Sequence, residues 1–354
     1  MASFQRVVFK TIDVLFNFTQ NYHKFKNIHV EKNIVYDPEY PNICALDIYR
    51  HEDKVGVKLP TVINVHGGGF MGGGREYRTG IAGYFVDKLD VCVVNISYHL
   101  CEKDPFPQYL RDSVKALQWI VEHGEEYDID LDNLYIMGDS AGAQIAAHSI
   151  AVVQNEKLAD ALGCVKPDIK FKAALLFCGP YDVVTALTNK DVPFDFAHLV
   201  GNKVFGFNTR KQESFDNYVY KDYINVLDWI GPNFPPAFIC DTIGDVFCLG
   251  QGQMMIDTLK KNRVPYVHYY SAKKADFHCW YLNLKLHSSK KVLKATVHYM
   301  ESLLSGVVPP NERIVYGKEK IARVKKGVVK TRKLKAADKR KAIEDAPCEE
   351  NPKA

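Results

Sequence analysis

Two periods of hydrophobic pattern alternate along this chain. Short runs rich in apolar and β-branched residues recur at 28–36, 43–50, 61–65, 91–97, 134–138, 173–178, 237–240 and 265–270, and each reads as a strand. The first two are separated by a turn holding Pro38 and Pro41, which suggests a hairpin. From the third onward, most strands are separated by stretches long enough for a helix. Two helices are directly legible. From Leu110 to His123, Val114, Leu117, Trp119, Ile120 and Val121 fall on one face, and Gly124 follows as a stop. Residues 289–304 carry Val292, Leu293, Val297, Met300, Leu303 and Leu304, with Ser288 or Ser289 as cap and Gly306 beyond the end. Strand alternating with helix implies an α/β fold with a mostly parallel sheet covered on both faces. Val62-Ile63-Asn64-Val65 and Val91-Cys92-Val93-Val94 have the apolar continuity of central strands.

Three segments depart from this alternation. Residues 1–27 place Phe4, Val7, Val8, Ile12, Leu15 and Phe18 at helical spacing and predict an amphipathic helix. Residues 183–234, rich in Phe, Asp and Asn, do not fit one strand–helix unit and read as an insertion between the sixth and seventh strands. Residues 311–354 are Lys-rich, with Tyr316 as their single aromatic, and read as disordered or as a loose helix.

Composition bounds the function classes. The 354 residues, 47% hydrophobic, suit one large α/β domain or two smaller ones. No apolar run approaches the ~18–20 residues of a membrane span. The N-terminal apolar runs are broken by Lys10, Asp13 and Asn17, and no small-residue cleavage site follows, so no secretory signal is expected and the cytoplasm is the expected compartment. The nine cysteines are odd in number, irregularly spaced and without a CxxC pair. That argues for free, mostly buried thiols and against a disulfide framework or a zinc site. The net charge is +4, but residues 311–354 hold 14 Lys/Arg and 7 Asp/Glu, so the tail carries +7 and the body 4 − 7 = −3. Lys325-Lys326 and Lys339-Arg340-Lys341 read as a solvated tail, and no specific nucleic-acid partner is expected.

The chemistry enters through two glycine motifs. His66-Gly67-Gly68-Gly69-Phe70 follows the third strand and fits an HGGG oxyanion loop. Gly138-Asp139-Ser140-Ala141-Gly142 follows the fifth and fits a G-x-S-x-G nucleophile elbow. The elbow lifts a serine clear of the backbone at a strand-to-helix turn, and the helix N-terminus there favours negative charge. Glycines in the first motif let backbone N–H groups converge on a tetrahedral oxyanion. Gly68, Gly69 and the N–H of Ala141 are the candidate donors. Each motif alone would also suit a plain flexible turn; their order on strands favours chemistry.

A serine hydroxyl needs a base, and the base needs an orienting acid. After Ser140 come His148, His198, His268, His278, His287 and His298. His148 lies in the elbow helix, His268 inside a strand, and His287 and His298 at or within the last helix. His278 follows the last strand, at the carboxyl edge where the base belongs. For the acid, Asp245 follows the seventh strand and is preferred. Asp241 is closer to that strand and suits a turn or cap, and Asp182, after the sixth strand, is the serious rival.

With these residues in place, the chain resembles the hormone-sensitive-lipase-like family of α/β-hydrolases, the HGGG/GDSAG carboxylesterases and lipases, over residues 28–306. Tyr98-His99-Leu100, Pro105-Phe106-Pro107 and Asp112 are similar to that family's conserved run, and Asp245-Val246-Phe247 with Gly250 to its acid motif. The family's arginine is His99 here, a common glycine is Ala143, and the glycine after the catalytic histidine is Cys279. The resemblance implies an eight-stranded sheet in a catalytic domain over 28–306. It also implies a helical cap from 1–27 and 183–234, leaving 307–354 as a basic tail outside both. Phe194, Phe196, Phe205 and Phe207 would line its pockets, although core packing explains each of them equally well. The implied activity is a serine carboxylesterase acting on small, fairly apolar esters through Ser140, Asp245 and His278, with neither metal nor organic cofactor. An aryl-formamide or other amide hydrolase and an acetyl-sugar deacetylase use the same triad. A non-catalytic ligand receptor is disfavoured, because such descendants typically lose the histidine. Acyl length and oligomeric state are unspecified.

Overall fold

The computed structural model describes residues 17, 19–318, 321–325 and 328–332. All eight expected strands form, and a ninth joins them in one sheet of order β1-β2-β4-β3-β5-β6-β7-β8-β9. These are β1 (Ile28–Val35), β2 (Ala45–His51), β3 (Leu59–Val65), β4 (Cys92–Ile96), β5 (Ile129–Asp139), β6 (Phe171–Phe177), β7 (Ala237–Thr242), β8 (Tyr266–Ser271) and β9 (Glu312–Tyr316). The β1–β2 and β2–β4 pairs are antiparallel. The pairs from β4–β3 through β8–β9 are parallel.

The alternation of side chains along the strands divides the core in two. Ile63, Val65, Ile136, Leu176 and Ile239 point to one face, under helices α2 (Gln108–His123), α3 (Ala141–Gln154) and α8 (Gln251–Lys261). Val62, Tyr135, Met137, Phe177 and Phe238 point to the other, under α1 (Thr79–Lys88) and α9 (His287–Leu304). Five alanines in α3 let it lie close to the sheet and to α2, where Ser149 and Ser113 share a 2.9 Å hydrogen bond. Asn155 starts α4 (Glu156–Leu162) by accepting from the Leu158 N–H at 3.1 Å, and left-handed Gly163 ends it.

Residues 183–234 contribute three short helices, α5 (Val183–Leu187), α6 (Phe196–Phe205) and α7 (Gln212–Asp216). Val183, Val200, Val204, Phe205, Ile224 and Val226 bury into the α3 side of the core, so this insertion is anchored by apolar packing.

Both ends of the chain differ from expectation. The predicted helix over 1–27 falls largely outside the described residues; Asn17, Thr19 and Gln20 are helical, and the chain leaves helical geometry at Asn21. At the other end, the sheet has nine strands because 312–316, expected in the tail, pair with β8. Asn311 accepts from the Tyr266 N–H at 2.9 Å, and the Tyr316 carbonyl accepts from the Ala272 N–H at 2.8 Å. Ile314 and Tyr316 pack against the core, with the Tyr316 ring stacked 6.5 Å from Tyr269. Charged Glu312 and Arg313 hide this short edge strand in the sequence. The described residues beyond Tyr316 belong to a separate unit, in which an antiparallel hairpin, β10 (Ile321–Lys325) and β11 (Val328–Arg332), stands where disorder or a loose helix was expected.

Comparing two truncations isolates β9. A chain ending at Asn311 should lose about 1–3 kcal/mol relative to one ending at Lys318, the scale of burying Ile314 and Tyr316. Thermal unfolding of the pair measures this, and equal midpoints would contradict it.

Candidate active site

Register brings the chemistry to one sheet edge. Val65 of β3 pairs with Gly138 of β5, Asp139 with Phe177 of β6, and Phe177 with Cys240 of β7. The loops after these strands therefore emerge side by side. The two glycine motifs touch through their backbones. A Cβ on Gly142 would sit 2.1 Å from the Val65 carbonyl oxygen, and one on Gly67 would sit 2.4 Å from that of Asp139. Only glycine permits this approach, which is why both motifs need it at those positions.

Ser140 forms the turn between β5 and α3. Its φ of +52° and ψ of −123° are unfavourable for a residue with a Cβ and cost about 1–3 kcal/mol. The turn is held by the Ser140 N–H donating to the Phe177 carbonyl at 2.8 Å and by the Ala143 N–H donating to the Ser140 carbonyl at 3.0 Å. Facing it, the Gly68 carbonyl accepts from the N–H groups of Met71 and Gly72 at 3.0 and 2.9 Å. This folds the loop back on itself. Ala141 is the first residue of α3, where helical N–H groups have no intrahelical acceptor and the helix dipole is positive.

His278 lies between Ser140 and Asp245. Its Nε2 is 2.7 Å from Ser140 Oγ and its Nδ1 is 2.7 Å from Asp245 Oδ2. The other Asp245 oxygen accepts from the N–H groups of Phe247 and Cys248, both at 2.9 Å. The Asp245 side chain is 1% exposed and that of His278 18%, so the acid is sealed and the imidazole reaches solvent. Burial favours a neutral imidazole, but the Asp245 charge and hydrogen bond outweigh it, with Asp139 adding to them, and raise the His278 pKa. Burial likewise opposes ionisation of Asp245, but His278 and the two backbone N–H groups overcome it and lower the carboxyl pKa.

The loop carrying His278 is tied to the one carrying Asp245. The Asp276 carboxylate accepts from Ser271 Oγ at 2.5 Å, and its carbonyl accepts from Thr242 Oγ1 at 2.9 Å. Gly244 packs so close that a Cβ would lie 2.4 Å from that carbonyl oxygen.

The other candidates have partners elsewhere. Asp182 caps α5, accepting from the Thr185 N–H at 3.0 Å and its hydroxyl at 2.6 Å. Asp241 faces His268 Nε2 at 2.7 Å, a side-chain pair across adjacent strands where the sequence suggested a turn or cap. His148 is buried in α3 beside Gln144, and burial pushes its pKa down to about 3. His198 faces Thr209 Oγ1 at 2.8 Å, and His298 lies 3.6 Å from Glu301 on the exposed face of α9. His66, buried and stacked on Tyr98 with ring centroids 4.3 Å apart, is held near pKa 4 by burial.

The four insertion aromatics separate. Phe205 and Phe207 pack with Phe215 and Tyr218, Phe205 buried in the core and Phe207 half-buried at a cavity it lines with Tyr218. Phe194 is 95% exposed. Phe196 lies 5.6 Å from Phe247, whose ring is in turn 5.4 Å from His278. Phe247 was legible only as part of the Asp245-Val246-Phe247 motif.

Arg78 was not legible at all. Its guanidinium grips Asp139 with two bonds of 2.7 Å, Nε to Oδ1 and Nη2 to Oδ2, and both side chains are buried. It thus clamps the residue preceding Ser140. His99 stands where the resembling family has arginine. Its Nδ1 and backbone N–H both meet Asp112 Oδ2 at 2.7 Å, and Gln108 donates to the other oxygen at 2.9 Å.

The family model BD-FAE matches residues 46–247, which hold both glycine motifs and Asp245. The chain belongs to the BD-FAE family of α/β-hydrolases. The resemblance read from the motifs is borne out by its relatives as well. It is 36% identical over 90 residues to esterase LipI of Mycobacterium tuberculosis, covering 25% of this chain and 28% of that one. It is 32% identical over 174 residues to probable carboxylesterase 1 of Arabidopsis thaliana, covering 45% and 51%. The chain thus spans about half or less of these curated relatives. Esterase B of Lactobacillus rhamnosis shares the fold, with a TM-score of 0.74 at 19% identity, over 85% of this chain and 94% of that one. Among the described residues, no helix is long and apolar enough to cross a membrane.

Arg78→Ala would strand the buried Asp139 carboxylate and should destabilise this BD-FAE protein by about 3–5 kcal/mol. Urea unfolding measures the change, and a loss under 1 kcal/mol would mean water replaces the clamp.

Proposed function

We propose that this protein is a serine carboxylesterase that hydrolyses small, fairly apolar esters through an acyl-enzyme intermediate. The observation that carries the reading is the continuous hydrogen-bonded path from Ser140 Oγ through the His278 ring to Asp245, with 2.7 Å at both links. His278 Nε2 takes the hydroxyl proton as Ser140 Oγ bonds to the carbonyl carbon. The carbonyl π electrons move to oxygen, and the N–H groups of Gly68, Gly69 and Ala141 hold that oxyanion, each worth about 10²–10³ in rate. Collapse expels the alcohol, which takes the proton from His278. Water then repeats the sequence on the acyl-enzyme. Asp245 keeps the proton on Nδ1 and stabilises the imidazolium.

Phe247 and Phe196 form an aromatic path outward from His278, which suits an apolar acyl or alcohol group. Because Phe196 belongs to α6, the 183–234 insertion serves as the cap of this reading and the remainder of 28–306 as the catalytic body. The free thiols among the described residues suit a reducing compartment such as the cytoplasm.

Ser140→Ala should lower hydrolysis of p-nitrophenyl butyrate by about 10⁴-fold or more and abolish labelling by a fluorophosphonate. Undiminished turnover would refute the reading. A panel of p-nitrophenyl esters beside formanilides and acetylated sugars then defines the preferred bond.

The base must be neutral to act. Because His278 is raised above 6.5, kcat/KM should rise with pH through a value above 6.5. Asp245→Asn removes the main raising influence, so that limb should move to lower pH while the rate falls by about 10⁴-fold. Asp182→Asn should leave both unchanged, and the opposite pattern in pH–rate profiles would transfer the acid's role to Asp182.

A further inference from the structure

Cys178 and Cys279 meet beside His278. Cys178 directly follows β6, and Cys279 directly follows His278 itself. The two sulfurs lie within 4.8 Å of each other, and a ring nitrogen of His278 lies within the same distance of both. Both cysteines have left-handed backbones, with φ of +52° and +53°. Such conformations are strained for any residue with a Cβ, and here they turn two thiols toward one imidazole. Glycine would relieve this strain, and at 279 the resembling family carries it.

We propose that Cys178, Cys279 and His278 form a binding site for a borderline-soft divalent cation, Zn²⁺ by preference, whose occupancy switches the hydrolase off. Two thiolates and one imidazole are three of the four ligands of a tetrahedral zinc site, with Zn–S near ~2.3 Å and Zn–N near ~2.0–2.1 Å. That geometry puts the two sulfurs about 3.8 Å apart and each sulfur about 3.6 Å from the nitrogen, so closing the site from the observed spacing of at most 4.8 Å shortens each donor pair by about 1.2 Å at most. The fourth position is open to water. Hard cations such as Mg²⁺ and Ca²⁺ prefer oxygen donors and are excluded by this set. Binding displaces the two thiol protons to solvent and involves no oxidation.

Inhibition follows from the ring's existing bonds. Nδ1 of His278 faces Asp245 and Nε2 faces Ser140, each at 2.7 Å. A metal taking either nitrogen breaks one of those bonds, so coordination and general-base action exclude each other. Cys279 and His278 are partly exposed, while Cys178 is buried. On the acid's side of the ring, Cys248 Sγ also lies within 4.8 Å of the carboxylate and the imidazole, which adds a further sulfur to the neighbourhood. The coordination is independent of the proposed activity; its inhibitory effect rests on His278 being the base of that reading.

The test uses reduced, EDTA-treated, full-length protein. Zn²⁺ should suppress p-nitrophenyl butyrate hydrolysis, and EDTA should restore it. Loss of even an outer partner of a metal site costs about 10–100-fold in affinity. Cys178→Ala and Cys279→Gly should therefore keep their basal hydrolysis while needing at least about tenfold more Zn²⁺ for half-inhibition. Co²⁺ added to the Ser140→Ala variant, which needs no activity, should give a sulfur-to-cobalt charge-transfer band at one metal per chain. Adding Cys178→Ala or Cys279→Gly to that variant should remove the band. The two cysteines are tested separately, with circular dichroism to identify a variant that fails to fold, so either one decides the matter. Absence of the cobalt band overturns the site even if the esterase reading stands. Equal zinc sensitivity in the cysteine variants also overturns it. A band with no inhibition of an active enzyme would leave a metal site and overturn the switch.

Discussion

The close backbone contact between the loop after β3 and the turn after β5 is the constraint on which the site depends. Parallel pairing with Val65 opposite Gly138 puts the two loops at the same height. The glycines at 67 and 142 then allow main chain to rest on main chain, where any Cβ would collide with a carbonyl oxygen. This contact brings a serine with a strained backbone and a loop of backbone donors together with no side chain between them. The Arg78–Asp139 clamp acts on the same turn, with Arg78 Nη2 also donating to the Gly67 carbonyl at 3.5 Å. Its charge pair is buried and doubly bonded, so the residue before Ser140 has little freedom to relax the strain that follows it.

His278 and Asp245 are held by a second construction of different character. Here every bond involves a side chain: Thr242 Oγ1 donates to the Asp276 carbonyl, Ser271 Oγ donates to the Asp276 carboxylate, and the N–H groups of Phe247 and Cys248 donate to the Asp245 carboxylate. Both loops rise from adjacent parallel strands, β7 and β8, so a shift in one is passed to the other. The electrostatics pull the same way. The ion pair that raises the His278 pKa lowers that of Asp245, and both favour a charged pair in a setting where burial opposes it.

Much of this was legible because it follows local rules. The parallel strands announce themselves by continuous apolar runs, and the motifs by glycines that no side chain can replace. His278 and Asp245 could be chosen by their places after strands, since the fold delivers strand ends to one edge. What escaped has no local signature. Arg78 resembles any surface arginine until the sheet edge folds around it. Phe205 and Phe207 look alike in the sequence, yet Phe205 is buried in the core while Phe207 is half-buried at a cavity beside Tyr218. β9 carries too few apolar residues to stand out from a basic tail, and its evidence is an edge of β8 that needed a partner. The proximity of Cys178 and Cys279 is equally invisible, because their neighbourhood is made by register and not by sequence spacing.

The ninth strand gives the carboxyl-terminal region a mechanical role. β9 pairs with β8 up to Ser271, and the Tyr316 carbonyl takes the N–H of the next residue, Ala272. Ser271 is also the hydroxyl that holds Asp276, two positions before His278. The chain leaving the sheet is therefore fastened to the strand from which the histidine loop springs. A displacement of β9 would reach that strand before any other part of the site.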